Sequence, residues 1–120
     1  MGYLYYGRYA LYYEIGRVEL LRHLGLAYRA VEEELGVMMP VVNLHARYLR
    51  PARYDEEVRI VTQVRALPDR EMVFHHELYG PAGKLLNGGR VTLCFAATGP
   101  NGGRVACPEP ILQLLRPHFR

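Results

Sequence analysis

Two apolar stripes run along the first helical stretch of the chain, on opposite sides. From Gly7 to about Leu24, at 100° per residue, Tyr9, Tyr13, Gly16, Leu20 and Leu24 line one face, and Leu11, Ile15 and Val18 line another. Arg8, Glu19, Arg22 and His23 run between them on one flank, Glu14 and Arg17 on the other. A surface helix needs only one such stripe, so two predict a helix gripped from both sides. Gly16 costs about 1 kcal/mol against alanine in a helix interior, which makes sense where the backbone lies close against a sheet. Gly25 reads as the stop of this helix. A second, shorter helix is predicted from Tyr28 to Leu35, ended by Gly36, with its three consecutive glutamates on a solvated face.

From Val37 the period changes to two. Val42, Leu44, Ala46 and Tyr48 alternate with Val41, Asn43, His45 and Arg47 up to the turn "PARYDE". "EVRIVTQVRAL" sets Val58, Ile60, Thr62 and Val64 on one face before the turn "PDRE", and "MVFHHELY" follows as far as "GPAG". "KLLNGGRVTLCFAAT" admits either a hairpin at Asn87-Gly88 or one long strand with a glycine bulge, and the short piece after Leu86 favours the bulge. "GPNGG" is a turn and "PEPILQLLR" a closing helical segment. A long helix followed by at least four strands with no helix between them predicts an α+β fold: a long central helix against a meandering antiparallel sheet. At 120 residues this is one domain, spanning 1–120.

Composition narrows the chemistry. No apolar run approaches the roughly 18 residues of a membrane span, and no signal-peptide pattern opens the chain. Two cysteines do not make a disulfide framework, so a reducing cytoplasm is the expected compartment. The net charge of +3 comes from fourteen arginines and Lys84 against twelve acids. The arginines are spread along the whole chain, which suits phosphates on a small ligand better than a nucleic-acid stripe. There is no serine at all, which excludes every serine-nucleophile hydrolase.

The opening "MGYLYYGRYALYYEIGRVELLR" resembles that of the hotdog-fold 4-hydroxybenzoyl-CoA thioesterase family, including its subgroup associated with the Tol-Pal system. That family reads approximately Asp-x-x-Gly, three apolar residues and Tyr or His, followed by a helix bearing Tyr-[Phe/Tyr]-Glu-x-x-Arg. Gly2, Tyr6, Tyr13, Glu14 and Arg17 occupy the matching places. "YLRPARYDEEVRI" is similar to the family's strand-turn-strand and "LLNGGRVTLCF" to its long later strand, so the resemblance covers the full length. It implies a hotdog fold and acyl-CoA thioester hydrolysis without metal or organic cofactor. It also implies that the catalytic aspartate falls two places ahead of Met1, together with the family's first strand. The expectation is therefore a native protein that starts upstream, or else a shortened and inert relative.

The residues present suggest the following roles. By its place in the family motif, Tyr6 supplies a backbone N–H at the start of the central helix, where a developing oxyanion is stabilised. Glu14 and Glu19 are alternative carboxylates, although each stands three residues before an arginine, the spacing of intrahelical ion pairs. His45 shares a strand face with Asn43 and Arg47 and is a further candidate. His75 and His76 are adjacent, hence on opposite strand faces, and no metal site is expected. Cys94 reads as a small buried hydrophobe and Cys107 as a more exposed loop residue. Arg50, Arg53 and Arg90 are the candidates for coenzyme A phosphates. The second helix face and an uncovered sheet edge predict a homodimer or homotetramer. A hotdog dehydratase using Glu14, Glu19 or His45, and a non-catalytic acyl-CoA or partner-binding module, are the alternative functions.

Overall fold

The computed structural model describes residues 6–51 and 56–119. Helix α1 runs Tyr6–His23, α2 Tyr28–Leu35 and α3 Glu109–Leu115; the strands are β1 Val37–Met38, β2 Val41–Tyr48, β3 Arg59–Gln63, β4 Glu71–Tyr79, β5 Leu85–Ala97 and β6 Arg104–Val105. All strand pairs are antiparallel. β5 is the spine of the six-stranded sheet. Its first two thirds pair with β2 on one side and β4 on the other, its last residues pair with β1 and β6, and β3 lies beyond β4.

α1 crosses one face of this sheet diagonally. Near its start, the Tyr9 ring meets that of Tyr48 at the end of β2 edge-on, with centroids 5.0 Å apart. In its middle, Tyr13 stacks on His76 of β4 and its hydroxyl donates to Asn87 Oδ1 of β5. Gly16 then passes over β3, so close that a Cβ there would stand 2.2 Å from Thr62 Oγ1. This is the close approach that the sequence predicts for Gly16. The sheet-facing line is Tyr9, Tyr13, Arg17 and Leu21, all at most 7% exposed. They pack over Phe74, Leu78, Val91 and Phe95.

Several boundaries agree with the sequence pattern. α2 has the expected span and ends on Gly36 in the left-handed conformation, with φ 65°. β5 is one continuous strand of 13 residues, not a hairpin. Its irregularity falls at Leu86, where Leu78 opposes Asn87 and Tyr79 opposes Leu85, so the glycines themselves stay in register. Gly89 is required for another reason: a Cβ there would meet the Tyr13 ring at 2.4–2.6 Å.

Two expectations are corrected. Arg17 does not pair with Glu14 on a solvated flank; its side chain turns under the helix and is 7% exposed, whereas Glu19 and Arg22 do pair, at 3.3 Å. Cys107 is buried, not exposed, because the segment before α3 folds back so that its backbone N–H donates to the Asp69 carbonyl at 2.6 Å. Cys94 is buried as expected.

Candidate active site

The first turn of a helix leaves backbone N–H groups without intrahelical acceptors and carries a partial positive charge. In α1 that turn begins at Tyr6 and lies at the end of the sheet where β2 terminates, as the Tyr9–Tyr48 contact shows. A helix N-terminus poised at a sheet end is a place where a carbonyl oxygen can gain negative charge at low cost.

Beneath the middle of α1 lies a buried polar group that the sequence did not single out. His76 is 1% exposed, sandwiched between the rings of Tyr13, at 4.6 Å and 7°, and Phe74, at 6.2 Å and 8°. Its Nδ1 lies 3.0 Å from Thr62 Oγ1, and its Nε2 has no partner within the protein. Burial, with the charges of Arg17 and then His75, lowers its pKa to about 4, so it is neutral near pH 7. Burial likewise raises the Tyr13 phenol, with smaller contributions from Tyr48 and Tyr9. Arg17 Nε and NH1 and Asn87 Nδ2 are buried without hydrogen-bond partners. The sequence did hold a signal for this: Arg17 stands four residues after Tyr13 and four before Leu21, on the same helical line.

The other candidates do not converge. Glu14 is exposed on α1. His45 pairs in register with Arg90, which pairs with His75. Directly opposed residues share a sheet face, and His76 faces α1, so His45, Arg90 and His75 face the other way. Glu14 and His45 therefore lie on opposite sides of the sheet. Arg50, exposed just past β2, borders a groove with Lys84, Glu56 and Leu86 at the sheet end where α1 starts. Arg90 lines a separate cavity on the outer face. Arg53, Gly2 and most of the "PARYDE" turn lie outside the described residues.

Two apolar grooves flank the second half of α1. One is lined by Ile15, Leu20, Val58 and Ile60, the other by Leu24, Val64, Leu115 and Phe119. No helix among the described residues is long and apolar enough to cross a membrane.

Comparison with known proteins gives this arrangement a family. The Bacillus subtilis protein YneP, whose given name assigns it to the acyl-CoA thioesterases, is 33% identical over 85 residues, covering 71% of this chain and 61% of that protein. The acyl-CoA thioester hydrolase YbgC of Escherichia coli is 30% identical over 86 residues, 72% of this chain and 63% of its own length. The chain thus spans about three fifths of the length of these relatives. A hypothetical protein from Thermus thermophilus, 33% identical, superposes with a TM-score of 0.83 over 97% of this chain and 86% of that one. The 4-hydroxybenzoyl-CoA thioesterase of Pseudomonas sp. strain CBS-3, 22% identical, shares the fold with a TM-score of 0.83 over 94% and 86% of the two chains. The family model of the thioesterase superfamily matches residues 1–87, which hold α1 and the strands it crosses as far as the start of β5. By that match and by its fold, the chain belongs to the hotdog-fold thioesterase superfamily.

Proposed function

We propose that this chain serves the hydrolysis of an acyl-CoA thioester to the free acid and coenzyme A. The observation that carries the reading is the family match over α1, because that helix presents its N-terminus at the sheet end where β2 terminates. The thioester carbonyl docks at the start of α1, where the Tyr6 backbone N–H donates to the oxygen as water or a carboxylate attacks the carbon. A preorganised donor of this kind is worth about 10²–10³ in rate. Glu14 stands eight residues along the helix from Tyr6, about 12 Å of axial rise, so it serves only a thioester held at mid-helix, as in the dehydratase alternative. His45, across the sheet, has no part in a reaction at Tyr6 within one protomer. Arg50, with Lys84, borders the groove at the same sheet end and receives a coenzyme A phosphate; Arg53 is its candidate partner.

The reading includes a homodimer or homotetramer. Among the described residues β2 is bonded on one side only, to β5. Val41, Leu44 and Tyr48 of that strand are 42–49% exposed, and Leu11 and Ile15 of the second α1 face are 46% and 43% exposed. An eight-residue edge with apolar side chains is a template for a second copy of itself. Cytoplasmic residence belongs to the same reading, supported by two free cysteines.

The test is release of free thiol from a panel of acyl-CoAs by this chain and by one carrying the residues encoded immediately upstream of Met1. Turnover by the longer chain supports the reading. Binding of acyl-CoA without turnover by either supports the non-catalytic module instead.

A further inference from the structure

The irregularity at Leu86 lies at the sheet end where α1 starts. Because Leu78 opposes Asn87 while Tyr79 opposes Leu85, Leu86 is an extra residue on β5. Its carbonyl accepts from the N–H groups of both Leu49, at 2.9 Å, and Arg50, at 3.0 Å, which ties the chain just past β2 to β5. Bulges recur next to active sites, where they re-aim a neighbouring side chain. Here that neighbour is Asn87.

Asn87 stands between Tyr48 of β2 and Leu78 of β4, on the face that meets α1. It is fully buried, and its Oδ1 accepts from the Tyr13 hydroxyl. Tyr48, beside it, takes the Tyr9 ring edge-on. The first half of α1 is thus held by two neighbouring sheet residues, at helix positions three and seven residues after Tyr6. The farther anchor is about 10 Å of helix rise from Tyr6.

The two anchors differ in kind. Apolar packing is non-directional, so a helix resting on it alone can slide or tilt. A hydrogen bond is confined to a narrow range of distance and angle. A leucine at position 87 would pack under α1 without desolvating an amide, so what the amide adds is position.

We propose that Asn87 is a positioning residue of the thioester site: through the Tyr13 hydroxyl it sets the height and tilt of α1 over the sheet end, and with them the place of the Tyr6 backbone N–H. On the hydrolase reading, on which this role rests, losing the bond leaves the substrate bound and the oxyanion donor misplaced.

Two variants separate position from packing. Tyr13→Phe takes the hydroxyl from a buried amide and is expected to lower stability. Tyr13→Phe/Asn87→Leu removes both polar groups and is expected to recover most of that loss, because apolar partners of similar shape are close to neutral. Position is not recovered. In the chain length that turns over acyl-CoA, both variants are expected to lower kcat by about ten- to a hundredfold with KM unchanged. Ile111→Val, a loss of packing at a buried residue of α3, is expected to leave kcat as in the parent. If kcat returns with stability in the double variant, or if Ile111→Val lowers it equally, the bond only packs the core and the proposal is overturned. Amide hydrogen exchange decides the same point without turnover, so a failure of the hydrolase reading stays distinguishable. Exchange at residues 10–12 is expected to quicken about tenfold in the double variant while that of α2 holds. Unaltered exchange at residues 10–12 overturns the proposal.

Discussion

The ring of His76 lies parallel to that of Tyr13, 4.6 Å away and 7° from coplanar, so the imidazole is folded into the seam between α1 and the sheet as a neutral group. Its pKa is lowered to about 4, against 6.5 for an unperturbed histidine. An unfolded chain therefore binds a proton at this residue as pH falls through 6.5, while the folded chain resists until about 4. Its contribution to stability is present above 6.5 and is lost progressively down to about 4. Denaturation midpoints measured from pH 7.5 to 4 are expected to fall with this profile, and His76→Gln is expected to flatten it. An unchanged slope in the variant contradicts a buried neutral His76.

Arg17 sits in the same seam, with two guanidinium nitrogens buried and unpartnered. Its guanidinium bonds the Tyr28 phenol, but a buried charge with two donor nitrogens unmet gains little from its burial, and replacement by an apolar side chain of similar length is commonly neutral or stabilising. Arg17→Met is expected to hold or raise stability by about 1 kcal/mol. It is also expected to raise the His76 pKa toward 6.5, since Arg17 is the largest charge acting on that ring. Chemical denaturation and NMR titration of the imidazole check both. A marked loss of stability with the pKa unmoved contradicts the placement.

Alanine is ordinarily the better helix former, favoured over glycine by about 1 kcal/mol in a helix interior. At Gly16 the sign reverses, because a Cβ would lie 2.2 Å from Thr62 Oγ1 and 3.0 Å from Ile60 Cγ2. Gly89→Ala drives a methyl into the Tyr13 ring from the other side of the seam. Each substitution is expected to cost about 1–3 kcal/mol, visible as a lowered melting temperature. A gain in stability from Gly16→Ala contradicts the close crossing of α1 over β3.

Both cysteines are buried and free. Burial, with Glu109 and Asp69 nearby, pushes the Cys107 thiol up to about 11, so it holds almost no thiolate at neutral pH. Neither thiol is expected to react promptly with an aromatic disulfide reagent in the folded protein, and both are expected to react in guanidinium. One fast-reacting thiol under native conditions contradicts the folding-back of the segment before α3.

Much of the fold follows from periodicity. The 3.6-residue pattern up to Leu24, the glycine stop at Gly36 and the change to alternation at Val37 locate α1, α2 and the strands. Pairing is less visible, because alternation specifies faces and not partners. The interruption at Met39-Pro40, which separates β1 from β2, and the two-residue β6 depend on where β5 runs. The irregularity at Leu86 escaped because glycines are the usual bulge signal, whereas Gly89 is there to admit Tyr13. Arg17 and His76 escaped because a charged or titratable residue reads first as solvated, and only the packed seam shows them inside.

The central claim is that the first N–H of α1 stabilises the oxyanion, and Tyr6 can be tested at the backbone itself. Proline is tolerated in the first helical turn, where its missing N–H breaks no intrahelical bond. Tyr6→Pro therefore removes the donor and keeps the helix, while Tyr6→Phe keeps the donor and removes the hydroxyl. With acyl-CoA turnover followed by thiol release in the active chain length, Tyr6→Pro is expected to lower kcat by about 10²–10³, with circular dichroism unchanged and Tyr6→Phe close to the parent. Undiminished kcat in a folded Tyr6→Pro variant would contradict the account.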